Sequence, residues 1–223
     1  MSSPADVRLI LAFLRELAAN NDRDWFEANR GRYEAAREAF LGLVAELLSG
    51  LAATEELGGV SPKDCVFRIN RDLRFSRDKS PYKTNMGALL GAGGRKAGLR
   101  SYYFHLEPAG ASMLAGGLYE PAPAELAAVR EAIARDPKPL KRILAAPAFA
   151  REFGGLAGDS LKTAPQGYPK EHPEIELLRH KQFLVVHPLS DREAAAADLV
   201  PRALESFKAM RPFLAYLESV LAR

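Results

Sequence analysis

Apolar residues recur at helical spacing near both ends of the chain and at alternate positions through its middle, and this change of period divides the sequence. Ser3 followed by Pro4 is a helix start, and Val7, Ile10, Leu11, Leu14 and Leu17 form one stripe that Asn20 and Asn21 interrupt. Asp24 and Glu27 fit a capping box. Tyr33, Phe40, Val44, Leu47 and Leu51 continue an apolar face, which predicts a long second helix over about 25–53. Gly31 and Gly42 weaken that helix, and the cluster of Gly58, Gly59, Ser61 and Pro62 ends the helical region.

From Cys65 the period becomes two. Phe67, Ile69, Leu73 and Phe75 alternate with Arg68, Asn70, Asp72, Arg74 and Ser76, as in a strand with one dry and one wet face. Arg71 falls on the dry face, which calls for a bulge or for a buried guanidinium with Asp72 or Asp78 as its partner. Residues 86–90, a glycine-rich turn over 91–98 and residues 99–107 read as a hairpin. Residues 113–119 add a strand in which Gly116 and Gly117 mark a bulge or a close backbone approach. Helical patterning returns over 121–134 and 140–144, and 174–178 fits a single turn. A short apolar strand follows over 183–186, then Ser190 and Glu193 open a C-terminal helix with Pro212 as a kink point.

The predicted class is α+β: a central, mainly antiparallel sheet flanked by N-terminal and C-terminal helices. With 223 residues, 48% of them hydrophobic and 26% charged, the chain can bury a substantial core. Neither a repeat nor a linker interrupts it, so residues 1–223 are expected to form a single domain. The lone Cys65 excludes an internal disulfide, and no apolar run reaches the ~18–20 residues of a membrane span. The first residues carry neither a basic nor an apolar leader segment, so the expectation is a cytoplasmic protein with no membrane partner.

Charge then singles out one segment. Residues 67–85, FRINRDLRFSRDKSPYKTN, hold six Lys/Arg against two Asp, a local charge of +4 in a chain whose net charge is +3. Asn70, Ser76, Ser80, Tyr82, Thr84 and Asn85 add hydrogen-bonding groups among those cations, a combination suited to an anion. Arg68 and Arg74 on one strand face can grip a phosphate or carboxylate, and Ser80 with Pro81 reads as a helix start whose N–H groups point the same way. Lys79 and Lys83 would share a face of that turn. The plainer reading is a solvated or self-paired charge run.

A second basic stretch, 161–183, contains Lys162, Lys170, Arg179, His180 and Lys181, with Gly167 as a tight turn able to present Lys162 and Tyr168 together. A stiffened surface loop is the alternative. His172, His180 and His187 follow none of the short zinc spacings, and no metal site is predicted. His105 and Glu107, two apart on a strand, share a face and could form an acid/base or metal pair with Asp72 or Asp78, against the simpler reading of a polar strand face. Walker A, GxSxG and HExxH signatures are absent, and no cofactor is indicated. Trp25 reads as a core anchor, and of Tyr102 and Tyr103 one is expected inside and the other at a surface or ligand.

The run RINRDLRFSRDKSPYKTN resembles the family known as domain of unknown function 2461, as do NNDRDWFEANRGRYE, GGLYEP and LKTAPQGYPKEHPEIELLRHKQF. The resemblance covers nearly the whole chain and implies a signature without an assigned activity. The family pattern carries over onto Arg68, Asn70, Arg71, Asp72, Arg74, Phe75, Asp78, Lys79, Ser80, Pro81, Tyr82 and Lys83. It carries over more loosely onto Gly117, Tyr119, Lys162, Pro165, Gly167, Tyr168 and His172.

Three readings follow. In the first, Arg68, Asn70, Arg71, Arg74, Lys79, Ser80, Tyr82 and Lys83, with Lys162 and Tyr168, bind an anionic ligand such as phosphate, a nucleotide or nucleic acid. An enzyme of this kind would act on a phosphoester with Asp72 or Asp78 as general base or metal ligand. In the second, the same face is a binding module for nucleic acid or an acidic protein. In the third, Arg71, Asp72, Arg74 and Asp78 form a structural ion network.

Overall fold

The backbone N–H of Ser3 donates to Asp6 Oδ2 at 2.6 Å, and α1 runs from there as Pro4–Ala19. The computed structural model describes residues 3–74 and 77–222, so Phe75 and Ser76 of the predicted alternation lie outside the described residues. The long second helix is divided into α2 (Arg23–Ala28) and α3 (Arg30–Leu51). The cap is Asp22, not Asp24: its side chain accepts from Trp25 N at 2.8 Å, while Glu27 is engaged with Arg30. The break falls at Asn29, where the backbone leaves helical geometry (φ −111°, ψ 16°) and the side-chain amide donates to the Trp25 carbonyl at 2.9 Å.

The remaining elements are α4 (Pro62–Cys65), β1 (Met86–Leu90), the 3₁₀ turn Gly94–Lys96, β2 (Tyr102–Leu106), β3 (Ser112–Leu118) and α5 (Pro123–Arg135). They continue as α6 (Lys138–Leu144), α7 (Pro147–Phe153), α8 (Ile175–Leu178), β4 (Phe183–Leu189), α9 (Asp191–Ala194) and α10 (Leu199–Leu221). The strands follow the order β1-β2-β3-β4, and the class is α+β. The predicted C-terminal helix begins as expected at Ser190, whose hydroxyl accepts from Glu193 N, but it is interrupted before α10, which contains Pro212.

Packing separates two compact units. The first contains residues 1–98, 102–114 and 188–205. Its core joins the apolar stripes of α1 and α3 to the inner face of the hairpin, where Phe40 stacks on Phe104 with centroids 5.6 Å apart. In that hairpin Met86, Ala88 and Leu90 on β1, with Tyr102, Phe104 and Leu106 on β2, are buried. The register sets Gly87 opposite His105 and Leu89 opposite Tyr103, so residues 103, 105 and 107 fall on the other face. The second unit contains residues 99–101, 115–187 and 206–223, with Phe149 packed on Phe153 and Phe213. There Gly117 has φ +116°, and a Cβ on it would collide with the Phe183 carbonyl and meet Leu184 Cα at 2.9 Å. This is the close backbone approach expected of the Gly116-Gly117 pair.

Over its described residues, 65–74, the predicted strand does not form. Val66 makes an isolated bridge to Ala88 and Asn70 another to Tyr82. The Lys83 N–H donates to the Ile69 carbonyl at 2.8 Å and the Arg71 N–H to the Pro81 carbonyl at 3.0 Å, so the segment folds back on its own downstream limb. Pro81 has no N–H with which to extend that ladder. The helix predicted at Ser80 and Pro81 is also absent: Asp78 Oδ1 accepts from Ser80 N at 2.9 Å and from Ser80 Oγ at 2.6 Å, an Asx turn in place of a helix start.

Candidate functional site

The basic motif is a short irregular hairpin whose return limb is pinned to the junction after α1. Asn21 Nδ2 donates to the Tyr82 carbonyl at 3.0 Å, and its Oδ1 accepts from Tyr82 N at 3.1 Å. The Tyr82 ring is buried and lies on Phe26, centroids 4.0 Å apart and planes 15° from parallel. Tyr82 is therefore committed to the core. Asn70 is exposed on the limb that faces it.

At the tip the charges pair locally. Arg74 grips Asp72 through Nε at 3.0 Å and Nη2 at 2.6 Å. Arg71 bonds Asp78 and also donates to the Ser80 carbonyl at 3.3 Å, which resolves its misfit in the alternation without a buried site. Lys79 Nζ donates to the Leu73 carbonyl at 3.1 Å. The Arg74 hydrogen bonds hold the Asp72 carboxyl below its usual range. Asp78 lies well below it, chiefly through the Ser80 hydroxyl and N–H and then through Arg71. Both carboxylates stay ionised and are correspondingly weak bases.

Lys83 and Arg68 stand differently. The Lys83 ammonium lies over the Phe67 ring, 5.5 Å from its centroid. Burial of the half-buried side chain lowers its pKa, and the nearby Arg68 guanidinium lowers it further. Among the described residues no carboxylate pairs with Lys83, and Arg68 is exposed.

Beside Phe67 runs a row of hydrogen-bonded side chains on the outer face of β2. The Tyr103 hydroxyl is 2.9 Å from His105 Nδ1, and His105 Nε2 is 2.9 Å from Glu107 Oε2. Thr84 Oγ1 donates to Glu107 Oε1 at 2.8 Å. The Tyr103 ring meets Phe67 edge-on with centroids 6.3 Å apart. A Cβ on Gly87 would approach the Tyr103 hydroxyl to 2.6 Å, so glycine here leaves the phenol its place. The imidazole is 8% exposed and the carboxylate 28%, which makes the row a half-sheltered one. His105 and Glu107 do share a face, as their spacing requires, yet they bond one another in line with Tyr103. Spacing could pair positions 103, 105 and 107; Thr84 and Phe67 joined them only through the fold.

In the second unit Lys162 is exposed and Tyr168 is half-buried, its ring set edge-on to His172 at 6.1 Å. The Tyr168 N–H donates to the Pro165 carbonyl at 3.2 Å, forming the turn that Gly167, with φ +89°, allows. Burial raises the Tyr168 phenol. Arg130, whose field reaches Tyr168, spends its own donors on the carbonyls of Leu178 and His180 at 2.8 and 2.9 Å.

The family profile of the conserved hypothetical proteins termed DUF2461 matches residues 9–216. The chain belongs to that family. No curated protein and no solved structure matches it. The DUF2461 match takes in the hairpin, the β2 row and the loop of Lys162 and Tyr168. Among the described residues no helix is long and apolar enough to cross a membrane.

Proposed function

We propose that this DUF2461 protein binds a phosphate-bearing or other anionic ligand at Lys83 and Arg68. Arg71 and Arg74 are engaged by Asp78 and Asp72, and Lys79 by the Leu73 carbonyl, so these three hold the hairpin in shape. The observation that carries the reading is Lys83, an ammonium with an aromatic face and a second cation for company. Such a group is under-compensated, and an anion that meets both cations relieves the repulsion and restores the charge it lost solvent for. Two such cations fit a compact ligand better than a long polyanion. Neutralising about two phosphates gives a shallow salt dependence, where extended nucleic-acid contacts give a steep one.

The test is calorimetric titration with inorganic pyrophosphate. Lys83→Met and Arg68→Ala are each expected to weaken binding about tenfold or more, while Arg74→Ala retains it. Equal losses for all three would move the grip to the hairpin tip, and no heat from the wild type at millimolar pyrophosphate would refute the reading. Titration with a single-stranded oligonucleotide at several salt concentrations tests the nucleic-acid alternative, which requires the steeper slope.

A further inference from the structure

The β2 row has a chemical direction. Its first member is a hydroxyl, its second an imidazole with both nitrogens engaged, and its third a carboxylate, joined at 2.9 Å each. The carboxylate is fixed in turn. Thr84 Oγ1 holds one oxygen, and the Glu107 backbone is clamped by Ser112, which accepts from its N–H at 3.0 Å and donates to its carbonyl at 2.9 Å. With Nε2–H donating to Glu107, the Nδ1 lone pair faces the Tyr103 hydroxyl, the tautomer in which imidazole accepts a proton from the phenol. A nucleophile, a base in contact with it and an acid orienting the base is the arrangement that activates a hydroxyl, here with tyrosine in the leading place.

We propose that Tyr103 is a nucleophile, with His105 as its base and Glu107 positioning the imidazole. In the step this implies, Tyr103 Oη forms a bond to an electrophilic tetrahedral centre and the bond to the leaving group breaks, the leaving group departing with the electron pair. The phenolic proton passes to His105 Nδ1, and the resulting imidazolium is held by Glu107 until it returns that proton to the leaving group. The substrate class is a phosphoester; that choice rests on the anion site at Lys83 and Arg68, whereas activation of the hydroxyl rests on the β2 geometry alone. Lys83 lies over the Phe67 ring that meets Tyr103 edge-on, with Arg68 near Lys83, while Tyr103 and Glu107 are the titratable groups bonded to the imidazole.

Benzenesulfonyl fluoride tests the activation without knowledge of the substrate: the phenolate oxygen takes the sulfonyl group, fluoride leaves, and peptide mass spectrometry gives the rate at each of the seven tyrosines. At neutral pH Tyr103 is expected to react at least about tenfold faster than Tyr119, which is 68% exposed and serves as the unassisted comparison. His105→Gln is expected to bring Tyr103 to the rate of Tyr119 and to leave that rate still rising at alkaline pH, where the wild-type rate has levelled. Glu107→Gln, at a partly exposed position, gives an intermediate loss and serves if His105→Gln lowers the melting temperature. Modification of Lys83 in place of Tyr103, a Tyr103 rate no higher than that of Tyr119, or a folded His105→Gln protein with an undiminished rate would each overturn the assignment. Pyrophosphate protection of Tyr103 in the wild type, lost in Lys83→Met, supports the phosphoester class. Fast labelling without protection leaves the nucleophile standing and removes that class.

Discussion

Tyr82 lies nearly parallel on Phe26 with ring centroids 4.0 Å apart, and this stack, beside the Asn21 bonds to the Tyr82 backbone, anchors the charged hairpin to the helical core. Tyr82→Ala is expected to cost about 3–5 kcal/mol in urea unfolding, the range for deleting a buried aromatic ring. Tyr82→Phe, which keeps the stack, should stay within about 1 kcal/mol of wild type. Equal losses for the two would show that the ring is not what holds the hairpin.

The two-way bond between the Asn21 amide and the Tyr82 backbone should be separable from that stack. Asn21→Ala leaves an N–H and a carbonyl unpaired and is expected to destabilise by about 1–2 kcal/mol. Amide exchange at Tyr82 and Lys83 should accelerate, with α3 unaffected; uniform acceleration would contradict a local role.

Asp78, more strongly depressed than Asp72, contributes most to the pH dependence of the hairpin. Its folded pKa is depressed by Ser80 and Arg71, so its contribution is present above its unfolded pKa and lost as pH falls below it. The same sign holds for Glu193, lowered to about 2 by the Ser190 hydroxyl and N–H, so on acidification Glu193 loses its contribution below about pH 4.5 and Asp78 below about pH 3.8. Asp78→Asn is therefore expected to flatten the acid limb of a stability-versus-pH curve, and an unchanged limb would show the carboxylate to be idle. Both groups are exposed, which keeps the effect small.

Lys83 shares that direction, but here folding disfavours the charged form instead of favouring it. Its folded pKa lies below its ordinary value, so the charged form is disfavoured by folding and stability rises as pH passes from the folded pKa toward the unfolded one. Lys83→Met should be neutral or stabilising near pH 7 in thermal melts. In carbon-13 NMR of dimethylated lysines, Arg68→Ala should shift the Lys83 titration upward; no shift would mean that Arg68 is not its neighbour in solution.

Gly117→Ala tests the close approach of β3 and β4. A positive φ and the Phe183 carbonyl both oppose a methyl group there, and a loss of more than about 2 kcal/mol is expected. Gly98→Ala, at a position open to solvent, is the matched comparison and should change little.

Periodicity alone determined the α+β class, the hairpin of β1 and β2, and the caps at Ser3 and Ser190, because each depends on neighbours a few residues apart. The family signature was likewise legible in 67–85. What the sequence could not decide was how that signature would use its charges: alternation cannot register that Pro81 lacks a donor or that Asp78 reaches Ser80 and Arg71 before a strand can form. The same holds for Asn29, where the backbone leaves helical geometry although the apolar stripe continues. Only tertiary structure brought Thr84 to Glu107 and Lys83 to Phe67. These contacts join separate backbone segments, and the order of residues along one segment carries no record of what another will set beside it.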